Sequence, residues 1–312
     1  MKFPSSVIVS SLLVGSTLAH PVGLGKRQES ENIDGTVLQF ALFLEHLENV
    51  FYKQALSSLS EQQFIDAGYD AKYYSDIKYI AFDEEQHVKL LTSALTEAGV
   101  TPVEACEYNF PFTDVESFIS LSTVLEGVGS SAYTGAAGLI TSKEYLTVAA
   151  SILAVEALHT SLQRSAQGLV PAANPYMTPL SPNPVFTLAA SFVVSCPETN
   201  APLPFAAFPA LSSDSGSPLA MGMPAHFSFD GDAAGKYATF VSGLTVASVM
   251  MEGSGDSFEV VIPEGISGQS YAFVTNADVT GGPGSLTDAA IVAGPAVIEV
   301  TPDAPDYDPS YE

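Results

Sequence analysis

The stretch 154-AVEALHTSLQR-164 decides the fold, because it sets Glu156 and His159 three residues apart in an apolar, alanine-rich segment. On a helix, residues at positions i and i+3 lie on one face, one turn apart. The other residues near that face are apolar, so a carboxylate and an imidazole point to where a core is expected. Burying an unpaired charge is costly, so something on the facing helices must compensate it.

A second copy of the spacing occurs in 82-FDEEQHVKLL-91, where Glu84 precedes His87 by three residues. A single Glu-x-x-His is more often accidental, or a partly exposed pair at a helix edge, than a site. Two copies in two long helical patterns favour a duplicated site.

Residues 33–168 are predicted to form four long helices, because apolar residues recur at helical spacing. The first runs from about Val37 to Leu59 and the second from about Ala71 to Glu97. A short helix is predicted between them, in 60-SEQQFIDAG-68.

The third and fourth long helices open with TDVE (113–116) and TSKE (141–144), which are capping-box patterns. Their link is short, which predicts antiparallel neighbours. The second and third helices are joined by 100-VTPVEACEYNFPFT-113, which can reach roughly 45–50 Å when extended. That is about the length of the bundle, so the link predicts the one long crossover of a ferritin-like arrangement.

Each remaining long helix carries a glutamate followed seven residues later by a tyrosine, and seven residues return to nearly the same helix face. The pattern Glu…Tyr…Glu-x-x-His therefore occurs twice, once in each predicted hairpin. A carboxylate-bridged di-metal bundle uses this ligand set. The predicted ligands are Glu45, Glu84, His87, Glu126, Glu156 and His159, and Tyr52 and Tyr133 are predicted neighbours of the ligands or one-electron donors.

The residue types suit two divalent ions, because four carboxylates balance the charge of the pair and imidazoles add none. Oxygen-rich ligation with one histidine per ion favours iron or manganese, and affinity alone does not exclude zinc. Open coordination positions would admit dioxygen or peroxide. Glu48, one turn from Glu45, is either exposed or a further carboxylate at the mouth of the site. Asp83, four residues before His87, could orient a ligand, but a solvated face is the favoured interpretation.

Beyond residue 168 the composition changes. A fifth helix is predicted over 185–194, and residues from about 200 become rich in Ser, Gly and Pro. Short alternating or β-branched runs then predict a small β-sandwich. These runs are HFSFD (226–230), YATFVSGLTVASV (237–249), FEVVI (258–262), SYAFVT (270–275) and AVIEVT (296–301). The expected class is α+β, with a helical domain over 28–199, a β domain over 200–302 and an acidic tail over 303–312.

The N-terminus is typical of a secreted protein. Lys2, an apolar run and Ala19 predict a signal peptide over 1–19, and the dibasic pair ending at Arg27 predicts a pro-segment over 20–27. No later segment is expected to span a membrane, and an extracellular or cell-wall location follows. Two cysteines, Cys106 and Cys196, are expected to form a disulfide on that route, with two separate buried thiols as the alternative.

The chain is strongly acidic, with a formal net charge of −25 at pH 7. Such a chain repels phosphate backbones and anionic lipids, so nucleic acid and membrane surfaces are excluded as expected partners. Metal ions are the favoured partners, and the oligomeric state is left open.

Three segments also resemble a known family: FPFTDVESFISLSTVLEGVGSSAYTGAA (110–137), VEALHTSLQRSAQGLVPAANPYMTPLSPN (155–183) and FVVSCPETNAPLPFAAFPAL (192–211). The sequence resembles the secreted fungal branch of the ferritin-like domain family. That branch is related to plant desiccation-associated proteins and is often described as stress-response or late-sexual-development proteins. The resemblance implies a ferritin-like bundle with an appended β region and supplies no established reaction.

Two functions are consistent with these features. One is a di-iron or di-manganese protein that oxidises Fe(II) or consumes peroxide in oxidative, desiccation or developmental stress. The other is a non-catalytic, metal-stabilised protein of the cell wall or matrix that acts through its β domain. Metal-dependent turnover distinguishes them, and the sequence leaves open whether the protein is an enzyme.

Overall fold

Six α-helices make up the first part of the computed structural model, which describes residues 33–310 except 217, 306 and 308. The predicted signal peptide and pro-segment therefore lie outside the described residues. The helices are α1 (Ile33–Ser58), α2 (Glu61–Asp66), α3 (Ala71–Glu97), α4 (Val115–Ala136), α5 (Lys143–Ala166) and α6 (Pro182–Ala190). Helix α1 packs against α3, and α4 packs against α5, so the four long helices form two hairpins joined by the crossover.

The N-caps of both helices lie one residue after the predicted ones, and only α4 has a capping box. The N-cap of α4 is Asp114, whose carboxylate accepts a hydrogen bond from the backbone N–H of Ser117 at 2.8 Å. Aspartate is a stronger N-cap than the threonine before it. The N-cap of α5 is Ser142, because the hydroxyl of Thr141 donates to Asp34 instead, at 2.6 Å. The segments TDVE and TSKE thus correctly predict where the two helices begin. Their first residues, Thr113 and Thr141, are not the N-caps.

The predicted fifth helix is shorter and earlier than 185–194. Helix α6 begins at Pro182, in keeping with the preference for proline in the first helical turn. It ends at Ala190, and the β-branched segment that follows forms strand β2 (Val193–Ser195). This strand pairs antiparallel with β1 (Glu107–Tyr108) in the crossover.

A disulfide joins Cys106 to Cys196 beside this pair of strands, with the two Cα atoms 4.2 Å apart. It ties the crossover to the segment after α6, and so confirms the predicted pairing. The two cysteines are 90 residues apart in the sequence, so the disulfide closes a long loop.

Among the described helices, α5 alone is long and apolar enough to cross a membrane by length and composition. The sequence predicted no segment of membrane-spanning length after the N-terminus. One helix of this kind is weak evidence for a membrane span, and α5 packs on α4 with Glu156 and His159 turned into the bundle. Only 28% of its apolar window is buried inside the protein.

The described part of the β region contains eight strands in two sheets, which confirms the predicted β-rich region. The strands are β3 (Leu211–Ser213), β4 (Leu219–Ala220), β5 (Pro224–Phe229), β6 (Tyr237–Ser242), β7 (Thr245–Met250), β8 (Ser257–Val261), β9 (Gly268–Thr275) and β10 (Ile291–Thr301). One sheet has the order β4-β10-β9-β6-β7, and the other has the order β3-β5-β8.

The larger sheet is buried on both faces. Phe240 and Ala272 belong to the core shared with the smaller sheet, whereas Val241, Tyr271 and Phe273 belong to the core of the helical bundle. This alternation follows the two-residue period of a strand. The helices and the larger sheet therefore share one hydrophobic core.

Two specific contacts reinforce the shared core. The guanidinium of Arg164 on α5 donates two hydrogen bonds to the Glu299 carboxylate on β10, at 2.7 and 2.8 Å. Gly135 on α4 allows the backbone before α6 to approach closely, since a Cβ there would lie 1.8 Å from the carbonyl oxygen of Leu180.

Candidate metal centre

The six predicted ligands converge in the middle of the bundle. Each hairpin supplies one glutamate and one Glu-x-x-His pair, since Glu45 and Glu126 lie on α1 and α4 while the pairs lie on α3 and α5. All four glutamates are fully buried. Only 8% of His87 and 5% of His159 is exposed to solvent. The helical periodicity that places apolar residues in the core places these residues there too.

The ligand atoms form two overlapping groups, within each of which they lie within 4.8 Å of one another. The first group is Glu45, Glu84, His87 and Glu156, and the second is Glu84, Glu126, Glu156 and His159. Glu84 and Glu156 belong to both groups, which is the position that bridging carboxylates occupy between two ions. Glu45 and Glu126 each belong to one group.

The histidines face the carboxylates through their Nδ1 atoms. His87 Nδ1 lies 3.1 Å from Glu45 Oε2 and 3.3 Å from Glu84 Oε2. His159 Nδ1 lies 3.2 Å from Glu126 Oε2 and 3.0 Å from Glu84 Oε1, although the latter pair is not aligned as a hydrogen bond. Both Nδ1 atoms therefore face the points at which the carboxylate oxygens converge.

Several of these oxygens have no hydrogen-bond partner. Glu84 Oε1 and both carboxylate oxygens of Glu156 are buried and unpaired. Buried polar groups are almost always paired, and an exception calls for an explanation. A metal ion at each group would satisfy these oxygens, so the residues present fit a pair of cations.

The protonation states also indicate a site built for cations. Burial raises the pKa of Glu45 to about 7, and it raises the pKa of Glu126 and, more strongly, of Glu156. For Glu84, the close contacts with His159 and His87 outweigh burial and lower the pKa to about 2. Without cations, several carboxylates are thus held in their neutral form, and cation binding would displace those protons.

The surrounding carboxylates act on the histidines in the opposite sense. Burial lowers the pKa of His159, but the charge and hydrogen bonds of Glu126 and Glu84 prevail and raise it to about 12. Burial and carboxylate contacts compete in the same way at His87, and its pKa is raised above the usual histidine range. Both imidazoles are therefore protonated when no cation is present, and they must release those protons to act as ligands.

The two tyrosines contact ligands of the opposite hairpin. The hydroxyl of Tyr52 on α1 donates to Glu126 on α4, and the hydroxyl of Tyr133 on α4 donates to Glu45 on α1. Burial raises the pKa of both hydroxyls well above the usual value, so both remain donors. Each tyrosine fixes the orientation of a carboxylate across the bundle.

Asp83 has a definite contact with the site. Its Oδ2 lies 3.3 Å from Nε2 of His159, on the side of the ring away from the carboxylate cluster. A carboxylate at this position holds the imidazole so that Nδ1 faces the ions. Of the two interpretations left open by the sequence, this contact favours the orienting role.

Glu48 is buried and lies above the same cluster. A Cβ on Gly129 would lie 2.6 Å from Glu156 Oε2 and 2.8 Å from Glu48 Oε1, so both carboxylates extend over this glycine. Burial and the charge of Glu156 raise the pKa of Glu48 well above its usual value. The structure thus excludes the exposed position that was one of two options for this residue.

Sequence reasoning missed a polar chain behind Tyr52. Tyr73 on α3 donates to the side-chain carbonyl of Gln163 on α5, and the amide of Gln163 donates to the Tyr52 hydroxyl at 3.3 Å. Gln163 lies seven residues after Glu156, so its helical phase is a signal that could have placed it near the ligands.

Comparison with known proteins agrees with this geometry. Residues 33–169 match the family model for a ferritin-like domain. Protein rds1 of Schizosaccharomyces pombe is 30% identical over 180 residues, which cover 58% of this chain and 44% of that protein. The chain therefore aligns with less than half of the length of this relative.

A solved structure of a conserved hypothetical protein from Mycobacterium tuberculosis is similar at 18% identity, with a TM-score of 0.37. The match covers 44% of this chain and 91% of that one. The family match rests on the helices that carry all six convergent ligands. Residues 33–169 of this chain therefore form a ferritin-like domain.

Proposed function

We propose that the protein is a secreted di-metal carboxylate protein that oxidises Fe(II) or consumes peroxide in protection against oxidative, desiccation or developmental stress. The observation that carries the proposal is the pair of four-residue groups that share Glu84 and Glu156, whose buried oxygens lack hydrogen-bond partners. The role in stress rests on the family resemblance. The disulfide is in keeping with folding in an oxidising compartment.

Iron or manganese ions at this site would supply one-electron redox steps in pairs, which matches the two-electron reduction of peroxide. With ferrous iron as the substrate the reaction balances as two Fe(II), one hydrogen peroxide and two protons giving two Fe(III) and two water molecules. The residues of the chain bind the ions, hold the ligands in place and exclude bulk water.

Metal content tests the ligand set first. The purified protein should contain about two transition-metal ions per chain, and Glu126→Ala or His159→Ala should lower that number. Matched controls are Glu97→Ala at the exposed end of α3 and His226→Ala on the exposed side of β5, which should leave the metal content unchanged. Equal metal content in all four variants would contradict the ligand assignment.

Turnover tests the reaction separately. Peroxide-dependent oxidation of Fe(II), followed by absorbance under anaerobic mixing, should be fast in the wild-type protein and slow in Glu126→Ala. A protein that binds two ions but gives no acceleration over free Fe(II) supports the alternative, a metal-stabilised wall or matrix protein that acts through its β region. Dioxygen in place of peroxide is tested in the same assay.

A further inference from the structure

A cavity of about 150 Å³ lies beside the candidate metal centre, between α1, α4, the end of α6 and β10. Its wall is almost wholly apolar and includes Leu44, Leu125, Ala189 and Val297. Two polar side chains also line it, the buried Glu48 and the exposed Ser191. The cavity therefore extends from the surface beside the end of α6 inward to Glu48.

The carboxyl of Glu48 is an unsatisfied group at the inner end of this cavity. Only 4% of the residue is exposed, and among the described residues no group donates a hydrogen bond to its side chain. It also lies outside both groups of converging ligand atoms. A buried polar group without a partner is costly, so a ligand that donates a hydrogen bond there would be stabilised.

The opposite hairpin has no equivalent of this arrangement. The residue that corresponds to Glu48 is Gly129, which also lines the cavity. A side chain at Gly129 would collide with both Glu48 and Glu156. The glycine thus leaves room for the carboxyl on one side of the centre only.

We propose that this cavity binds a compact, mainly apolar molecule that carries one hydroxyl group, with the hydroxyl donating a hydrogen bond to Glu48. An apolar cavity of about 150 Å³ accommodates a benzene-sized molecule. The half-buried Phe192 in the wall suits an aromatic ring. The ligand class is therefore that of a small phenol.

The inference goes beyond the proposed function, because the cavity is a feature of the packing of α1, α4, α6 and β10. Binding and metal content are consequently measured as separate quantities on the same preparation.

Phenol and benzene are the probes, and ligand-observed NMR on the full mature protein measures their binding. The wild-type protein should bind phenol at least about tenfold more tightly than benzene, the difference that a hydrogen bond to a buried acceptor confers. Glu48→Leu should remove that preference while benzene still binds. Glu48→Gln retains a carbonyl acceptor and should restore part of it.

Ala189→Phe fills the cavity from α6 and should abolish binding of both probes. The same substitution at the exposed Ala154 on α5 is the matched control and should have no effect. Val297→Phe fills the cavity from β10 and gives a second test if Ala189→Phe does not fold, as judged by circular dichroism.

The outcomes separate the two proposals. Normal metal content with no binding of phenol, or equal binding in the filled variants, overturns the pocket and leaves the proposed function intact. Loss of metal in Glu48→Leu shows that Glu48 is a ligand to the ions and overturns its assignment to the pocket. Phenol binding in a protein without metal ions supports the pocket and contradicts the proposed function.

Discussion

Removal of metal should reverse the pH dependence of stability. In the metal-free protein, burial raises the pKa of Glu45 from 4.5 to about 7. A carboxyl whose pKa is raised in the folded state contributes stability in its protonated form. That contribution is fully present below pH 4.5 and is lost as the pH rises through 7. The metal-free protein should therefore become less stable between pH 5 and pH 8.

The size of the effect follows from the shift. One pKa unit corresponds to about 1.4 kcal/mol, so Glu45 alone should cost on the order of 2–3 kcal/mol of unfolding free energy between pH 5 and pH 8. For a chain of this size class that is a fall in Tm of roughly 5–10 °C. Glu126 and Glu156 act in the same direction because their pKa values are also raised. Glu84 does not contribute in this range, because its pKa is lowered to about 2 and its effect is lost only in strong acid.

The metal-loaded protein should behave in the opposite way. Carboxylate and imidazole ligands bind ions only after losing their protons, so affinity increases with pH. Bound ions stabilise the folded state by mass action. The difference in Tm between loaded and chelated protein should therefore widen from pH 5 to pH 8.

Thermal melts followed by circular dichroism at 222 nm provide the measurement, with chelated and manganese-loaded samples at pH 5, 6, 7 and 8. Glu45→Gln removes the titrating group and should flatten the slope of the chelated samples. Glu97→Gln at the exposed end of α3 changes the net charge in the same way but removes no buried carboxyl, so it should leave that slope unchanged. A chelated protein whose Tm rises with pH, or identical slopes for Glu45→Gln and Glu97→Gln, would show that this account of the buried cluster is wrong.

Three further predictions concern single side chains. Cys196→Ser opens a loop of 90 residues and should lower the unfolding free energy by about 4 kcal/mol in the chain-entropy model, measured by urea denaturation. Asp83→Asn should weaken metal binding about 10- to 100-fold through His159, whereas Asp76→Asn, at a half-buried position of the same helix that pairs with Lys72, should not. Equal titrations by calorimetry would remove Asp83 from the site. Arg164→Ala leaves the partly buried carboxylate of Glu299 unpaired and should cost on the order of 3 kcal/mol. The helical and β signals should still be lost in a single transition because they share a core, and two separate transitions would contradict the shared core.

Much of this architecture could be predicted from the sequence because it depends on local periodicity. The bounds of α3 coincide with the predicted 71–97, and the duplicated Glu-x-x-His pairs identified residues that the fold brings together. The disulfide followed from the presence of just two cysteines and an oxidising route. The strand β2 was mistaken for the end of a helix, because its apolar residues carry no signal that they pair with the distant crossover.

Contacts between different helices could not be predicted in this way. Helical phase placed Tyr52 near Glu45, but the hydroxyl donates to Glu126, because the hydrogen bond depends on which faces of α1 and α4 meet. The same limit applies to Asp83, whose partner His159 lies on another hairpin. A pattern along one helix specifies the face of a side chain, and only the packing of two helices specifies its partner.

The duplication predicts equivalent ligands, and the residues that break it make the two halves of the centre chemically different. Asp83 orients His159, whereas the corresponding residue before Glu156 is Val155, which cannot orient His87 through a hydrogen bond. The chain of Tyr73 and Gln163 reaches only the half that contains Glu126. Since neighbours of this kind change ligand orientation and basicity, two ions bound to the same ligand types would differ in affinity and in redox potential. A difference between the ions would allow them to perform different roles in one reaction, which a symmetric pair could not.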